Sequence, residues 1–281
     1  MTISELKSRF KIIDKPKKGG QKIVYRAIAS NGERVALKII SNATDPRVIQ
    51  EIEILKKLNI VNTPRIIESG TVYDEEIDEN ALYIIEQYIE GVSLRDWLNK
   101  GNKADLSDAL RILNTLLSIE VQLEKCSILH RDINPNNIII GENGPIYLID
   151  FGLAKIIGGQ SITMTAAAHG PFTPGYAPYE QVANNKMQQD VRTDLFQIGV
   201  TIYECCAGNN PFVKPNDEIL QIVSRTITHI PTLLALEGDT KGLFAQFINM
   251  LMAKNQSQRP NTAEDALRYL NAIRITLETE I

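Results

Sequence analysis

The chain has 281 residues, 43% of them hydrophobic, with 30 Lys and Arg against 34 Asp and Glu for a net charge of −4. That length suits one large domain or two small lobes with a sizeable core, and the acidic balance argues against nucleic acid or an anionic membrane as the main partner. No apolar run approaches the ~20 residues of a membrane helix, Met1 to Phe10 lacks a signal-peptide core, and Cys126, Cys205 and Cys206 show neither metal nor disulfide spacing, so a cytoplasmic protein with no membrane segment is expected.

In chain order, the first third reads as strands. The runs Ile23 to Ala29 and Arg34 to Ile40 are separated by Asn31-Gly32, a strong hairpin signal. Ahead of them, Gly19-Gly20 lies among Lys17, Lys18 and Lys22. Glycine lets backbone amides approach a phosphate closely, although the stretch taken alone reads as a surface turn. Lys38 sits in a strand that is apolar on both faces, where an ammonium needs an anion. Asp45-Pro46 then starts a helix in which Val48, Ile52, Leu55 and Leu58 recur at helical spacing. Glu51 falls within that apolar arc, which makes it the expected partner of Lys38 in place of a surface ion pair. Leu82 to Ile85 is a buried strand, and Ser93 onward is helical. Ser107-Asp108 is expected to cap a long helix through Lys125, with Leu110, Leu113, Leu117 and Val121 along one face. Asp194 heads the apolar helix Leu195 to Cys206, and Thr262 with Asp265 forms a near capping box for the last helix.

Chemistry concentrates between His130 and Gly152. The stretch His130-Arg131-Asp132-Ile133-Asn134-Pro135-Asn136-Asn137 leads into Ile138 to Ile140, a Gly141-Glu142-Asn143-Gly144 turn, Ile146 to Ile149, and then Asp150-Phe151-Gly152. Apolar run, turn and apolar run make a hairpin. Its outer ends come together, placing Asp132, Asn137 and Asp150 side by side. Carboxylates and an amide oxygen are hard donors that suit Mg²⁺, and an acid beside the metal can orient a hydroxyl and take its proton.

These motifs, in this order, resemble the eukaryotic-type serine/threonine protein kinase domain, as found in bacteria too, over roughly Phe10 to Leu270. The resemblance implies an α+β bilobal fold: a small β-rich N-lobe over residues 1–86, a hinge over 87–92, and a larger, mostly helical C-lobe over 93–281. It implies transfer of the ATP γ-phosphoryl group to a Ser or Thr hydroxyl of a protein substrate, and to the chain itself through self-association. In those terms Asp132 faces the substrate hydroxyl, Lys38 holds phosphates, Glu51 holds Lys38, and Asn137 and Asp150 bind Mg²⁺. Gly19 and Gly20 cover the phosphates, the backbone of Gln87, Tyr88 and Ile89 binds adenine, and Val24, Ala36 and Ile139 enclose the base. Glu86 takes the position that guards the back pocket, where apolar residues are commoner. Thr173 to Glu180 resembles the substrate-docking segment, with Glu180, Asp194 and Arg259 as structural support. Arg131 is the usual partner of a phosphorylated loop residue, for which Ser161, Thr163 and Thr165 are candidates. The chain departs from the family in its glycine loop, at Tyr179 in place of proline, and at Asn134. Lysine usually stands at that last position to neutralise the γ-phosphate, so Asn134 is expected to donate a hydrogen bond there instead. A nucleotide-binding pseudokinase scaffold and a small-molecule kinase are the alternatives, and the docking segment argues against the latter.

Overall fold

Alternating β-branched and apolar residues set the first part of the chain into a sheet with two distinct faces, because successive side chains on a strand point to opposite sides. The computed structural model describes residues 1–19, 22–41, 52, 56, 58–142, 144–150, 155–156 and 172–278. They fall into two compact units, Met1–Glu90 and one that starts at Gly91.

The first unit opens with helix α1 (Ile3–Ser8), closed by a capping box between Thr2 and Glu5. Strands β1 (Lys11–Ile12), β2 (Lys17–Gly19), β3 (Lys22–Ile28), β4 (Arg34–Ile40), β5 (Ile66–Asp74) and β6 (Glu79–Gln87) follow. They form one six-stranded sheet in the order β1-β3-β4-β6-β5, with β2 paired to β3. The β3–β4 connection closes through Ala29 and Glu33, and Gly32 supplies the left-handed residue the turn needs (φ 83°). One face packs Tyr25, Ala27, Val35, Leu37, Ile39, Tyr83 and Ile85 against Leu6 of α1. The other carries Leu82 and Ile84 against Ile52.

The second unit begins with β7 (Gly91–Ser93), α2 (Leu94–Asn99) and α3 (Leu106–Lys125). Then come β8 (Ile128–Leu129), β9 (Ile138–Gly141), β10 (Ile146–Leu148) and β11 (Lys155–Ile156), arranged as the small sheets β10-β9-β7 and β11-β8. Helices α4 (Tyr179–Val182), α5 (Val191–Ala207), α6 (Ile219–Thr228), α7 (Leu243–Leu251) and α8 (Ala263–Glu278) complete it. Helix α5 is the centre: apart from Arg192 and Ala207 its residues are all buried. Two helix starts differ from expectation. Asp105, not Ser107, caps α3 by accepting the Asp108 N–H, so Ser107 and Asp108 lie within the first turn. Asp190 caps α5, which puts Asp194 inside the helix rather than at its head. In both cases an aspartate one turn earlier offers a carboxylate to the free N–H groups, and the chain takes the earlier cap. Among the described residues no helix is long and apolar enough to cross a membrane.

Candidate active site

In the first unit the register β4–β6 pairs Ala36 with Glu86 and Lys38 with Ile84. Lys38 and Glu86 therefore share a face and meet diagonally across the strands. Lys38 Nζ lies 2.6 Å from Glu86 Oε1, with side chains only 6% and 8% exposed. The expected partner, Glu51, lies outside the described residues, as does Gly20. A carboxylate that the structure does bring to Lys38 comes from the residue read as a guard of the back pocket. Spacing along the chain does not reveal this contact, because it depends on strand register. On the same face Val24 stands opposite Lys38. At the end of β6 the Gln87 N–H donates to the Arg65 carbonyl (2.9 Å) and the Tyr88 N–H to the Arg34 carbonyl (3.2 Å). These two bonds engage the N–H groups on either side of the β6 end, just ahead of Ile89.

In the second unit the β9–β10 hairpin pairs Ile138 with Leu148 and Ile140 with Ile146. Its open end is tied by the Ile149 N–H to the Asn137 carbonyl, at 2.8 Å. Buried His130 adds a second tie. Its Nδ1 accepts the Asp132 N–H (3.3 Å), which leaves the proton on Nε2 to donate to the Ile149 carbonyl (3.1 Å). Asp132, Asn137 and Asp150 are gathered by these local bonds, with Arg131 and Asp150 held at φ 65° and 75°.

The Asp132 carboxylate accepts from Thr173 Oγ1 (2.6 Å) and Asn134 Nδ2 (3.0 Å) on one oxygen and from Asn137 Nδ2 (2.8 Å) on the other. Burial pushes its pKa above the usual aspartate range; the three donors oppose that shift, and the charge of Asp150 adds to it. Asn134 is bonded within the loop. Its amide nitrogen is engaged with Asp132, its amide oxygen accepts from Asn136, and the residue is 2% exposed, so it does not project as a free donor for a phosphate. Sequence reasoning missed Thr173 as a partner of Asp132, because nothing local links two loops 41 residues apart.

Beneath this loop, one stripe of α5 holds the backbone. Asp194 accepts the N–H groups of His130 (2.8 Å) and Arg131 (2.7 Å). Gln197 accepts from the Ile133 N–H (2.7 Å) and donates to the Arg131 carbonyl (2.9 Å). Thr201 lies 3.5 Å from the Ile133 carbonyl. Asp194 is fully buried, and burial raises its pKa to about 6 against the pull of the two amides. Neighbouring Glu120, also fully buried, is pushed far above the carboxylate range by burial and by the charge of Asp194. Glu180 and Arg259 form a buried ion pair at 2.6 Å. The segment between them and Asp132 is held from behind by Arg95, which bonds both Glu204 and the Tyr176 hydroxyl at 2.7 Å. Ser161, Thr163 and Thr165 lie outside the described residues.

The donor set fits Mg²⁺. The Asn137 amide nitrogen is turned to Asp132, so Asn137 offers its Oδ1, and Asp150 its carboxylate, as hard oxygen donors. Mg²⁺ usually takes one or two protein oxygens and fills its shell with substrate phosphates and water. Among the described residues no cluster of three His, Cys, Asp or Glu could hold a metal alone.

A β-sheet unit with a buried lysine, followed by a mostly helical unit with an acid-bearing loop and hairpin, is the α+β architecture of protein kinases. The family model described as protein kinase domain matches residues 17–269, and the chain belongs to that family. It is 27% identical over 283 residues to the probable serine/threonine-protein kinase pknA2 of Bifidobacterium longum, covering 98% of this chain and 36% of the relative. It is 28% identical over 259 residues to the serine/threonine-protein kinase PknL of Mycobacterium tuberculosis, covering 90% and 63%. Against the serine/threonine-protein kinase cds1 of Schizosaccharomyces pombe it is 26% identical over 273 residues, covering 92% and 57%. The chain therefore spans between about a third and just under two-thirds of these relatives' own lengths.

Proposed function

We propose that this chain is a catalytic domain that transfers the γ-phosphoryl group of ATP to serine or threonine hydroxyls of proteins, itself included through transient self-association. The observation that carries the reading is the Asp132 cluster. An acid with a raised pKa is held by Asn134, Asn137 and Thr173, on a loop whose hairpin also presents Asn137 Oδ1 and Asp150. Such an acid can orient a substrate hydroxyl and take its proton as the new P–O bond forms and the bond to the β-phosphate breaks. Asn137 and Asp150 would hold Mg²⁺, which neutralises charge on the phosphates. Lys38 provides the cation for the remaining phosphate oxygens, and the hinge backbone around Gln87, Tyr88 and Ile89 binds adenine. The names of the relatives favour serine and threonine over tyrosine.

The test is Mg²⁺-dependent transfer from ATP to generic protein substrates and to the chain itself, with phosphoamino-acid analysis of the product. Wild type is expected to yield phosphoserine and phosphothreonine, and Asp132→Asn to lose both. Nucleotide binding without transfer across several substrates would turn the reading toward a scaffold. Phosphotyrosine alone would remove the substrate class.

A further inference from the structure

Glu86 is a demanding neighbour for a lysine that has to hold phosphate. The two charges lie 2.6 Å apart, each less than a tenth exposed. They stand on adjacent interior strands of one sheet, on the face that also carries Ile84 and Leu82. Strand pairing, not a separate element, presents the carboxylate to the ammonium, so the contact is built into the sheet. The Ala36–Glu86 rung lies toward the end where β6 runs on into Gln87 and Tyr88. The pair therefore draws the Lys38 side chain toward that end of the strands. Charges this poorly hydrated interact strongly, and any second anion has to compete for the same cation.

We propose that Glu86 is a counter-ion that competes with nucleotide phosphate for Lys38 and thereby sets the affinity of the chain for ATP. It acts as a positioning residue, through Lys38. The inference rests on the kinase reading only in taking Lys38 as a nucleotide ligand. When phosphate engages the ammonium, the contact with Glu86 weakens, and the carboxylate charge remains close to the incoming polyphosphate. Both effects oppose binding. Removing the charge while keeping the shape should relieve both.

The experiment measures dissociation constants for Mg²⁺-ATP and a non-hydrolysable analogue, with KM and kcat in parallel, for wild type, Glu86→Gln, Glu86→Asp, Lys38→Met and the Lys38→Met/Glu86→Gln double variant. Thermal unfolding establishes that each variant is folded. Glu86→Gln is expected to bind about tenfold tighter, equivalent to about 1.4 kcal/mol, with KM for ATP falling in step and kcat changing less. Glu86→Asp keeps the charge and should stay near wild type. The gain should vanish in the Lys38→Met background, since coupled residues do not add. A merely structural residue would weaken binding when replaced, not strengthen it. Equal or weaker binding by folded Glu86→Gln, or a gain that persists without Lys38, would overturn the proposal. The affinity pattern with no phosphotransfer by wild type would defeat the kinase reading and leave this one standing. Phosphotransfer by wild type with no affinity gain would do the reverse.

Discussion

Asp194→Asn should cut turnover by about 10² while leaving the fold nearly as stable. The carboxylate is fully buried and accepts the amides of His130 and Arg131 at 2.8 and 2.7 Å. Burial holds its pKa at about 6, against ~3.9 in an unfolded chain, and each unit is worth ~1.36 kcal/mol. For an acid raised in this way the folded state binds the proton more tightly. The penalty is therefore absent below the unfolded value and complete above about pH 6, where it amounts to about 3 kcal/mol. Asparagine carries no charge and escapes that penalty. Its amide nitrogen, however, must face one of the two N–H groups, leaving a buried donor unsatisfied at about 1–3 kcal/mol. The two terms nearly cancel, and the net change should stay within about 2 kcal/mol. Catalysis has no such compensation. The amides released belong to the two residues directly before Asp132, and Arg131 holds φ 65°, a conformation that persists only where the surroundings enforce it. Displacing the acid by ~1 Å costs about 10² in rate. The assay pairs kcat for Mg²⁺-ATP transfer with urea unfolding at neutral pH. Undiminished turnover would refute the claim that Asp194 holds the loop in its working shape.

Three further outcomes follow from named contacts. Glu180→Gln leaves Arg259 buried without its carboxylate, and breaking such a pair costs about 3–5 kcal/mol; an unchanged urea midpoint would contradict this. Thr173→Val removes a donor that favours ionised Asp132, so the acid limb of the kcat/KM profile should move to higher pH and kcat should fall, whereas an unmoved limb would separate Thr173 from the acid. Burial, with help from Arg259, depresses Lys254 to about 7. The unfolded chain then binds the extra proton, and stability should rise between about pH 7 and ~10. Lys254→Met should flatten that rise, and equal slopes in the two proteins would count against it.

Legibility in the sequence followed the range of the interaction. The catalytic hairpin was readable because its strands, turn and tips lie within a short span, so Asp132, Asn137 and Asp150 could be placed together from the pattern alone. The sheet-then-helix order was readable for the same reason. Helix starts were less so. Asp105 and Asp108, like Asp190 and Asp194, lie close together, and only the backbone geometry selects which one caps. Contacts that join distant strands or loops could not be read. Lys38 meets Glu86 through β4–β6 register, and Thr173 meets Asp132 through tertiary folding. At Asn134 the change from lysine was read as a change of charge alone. A shorter side chain also turns inward and bonds its neighbours.

The grip of Asp194, Gln197 and Thr201 on the loop bears on how such a domain can change over generations. All three reach backbone atoms of His130, Arg131 and Ile133, not their side chains. The helix below therefore templates the path of His130, Arg131 and Ile133 without regard to their side chains. Shape and reactivity are written at separate addresses. A lineage can exchange Arg131 or Ile133 side chains without loosening the grip from below, whereas drift along the α5 stripe alters the path itself. An engineer has the same two handles: the loop for chemistry, the helix for rigidity.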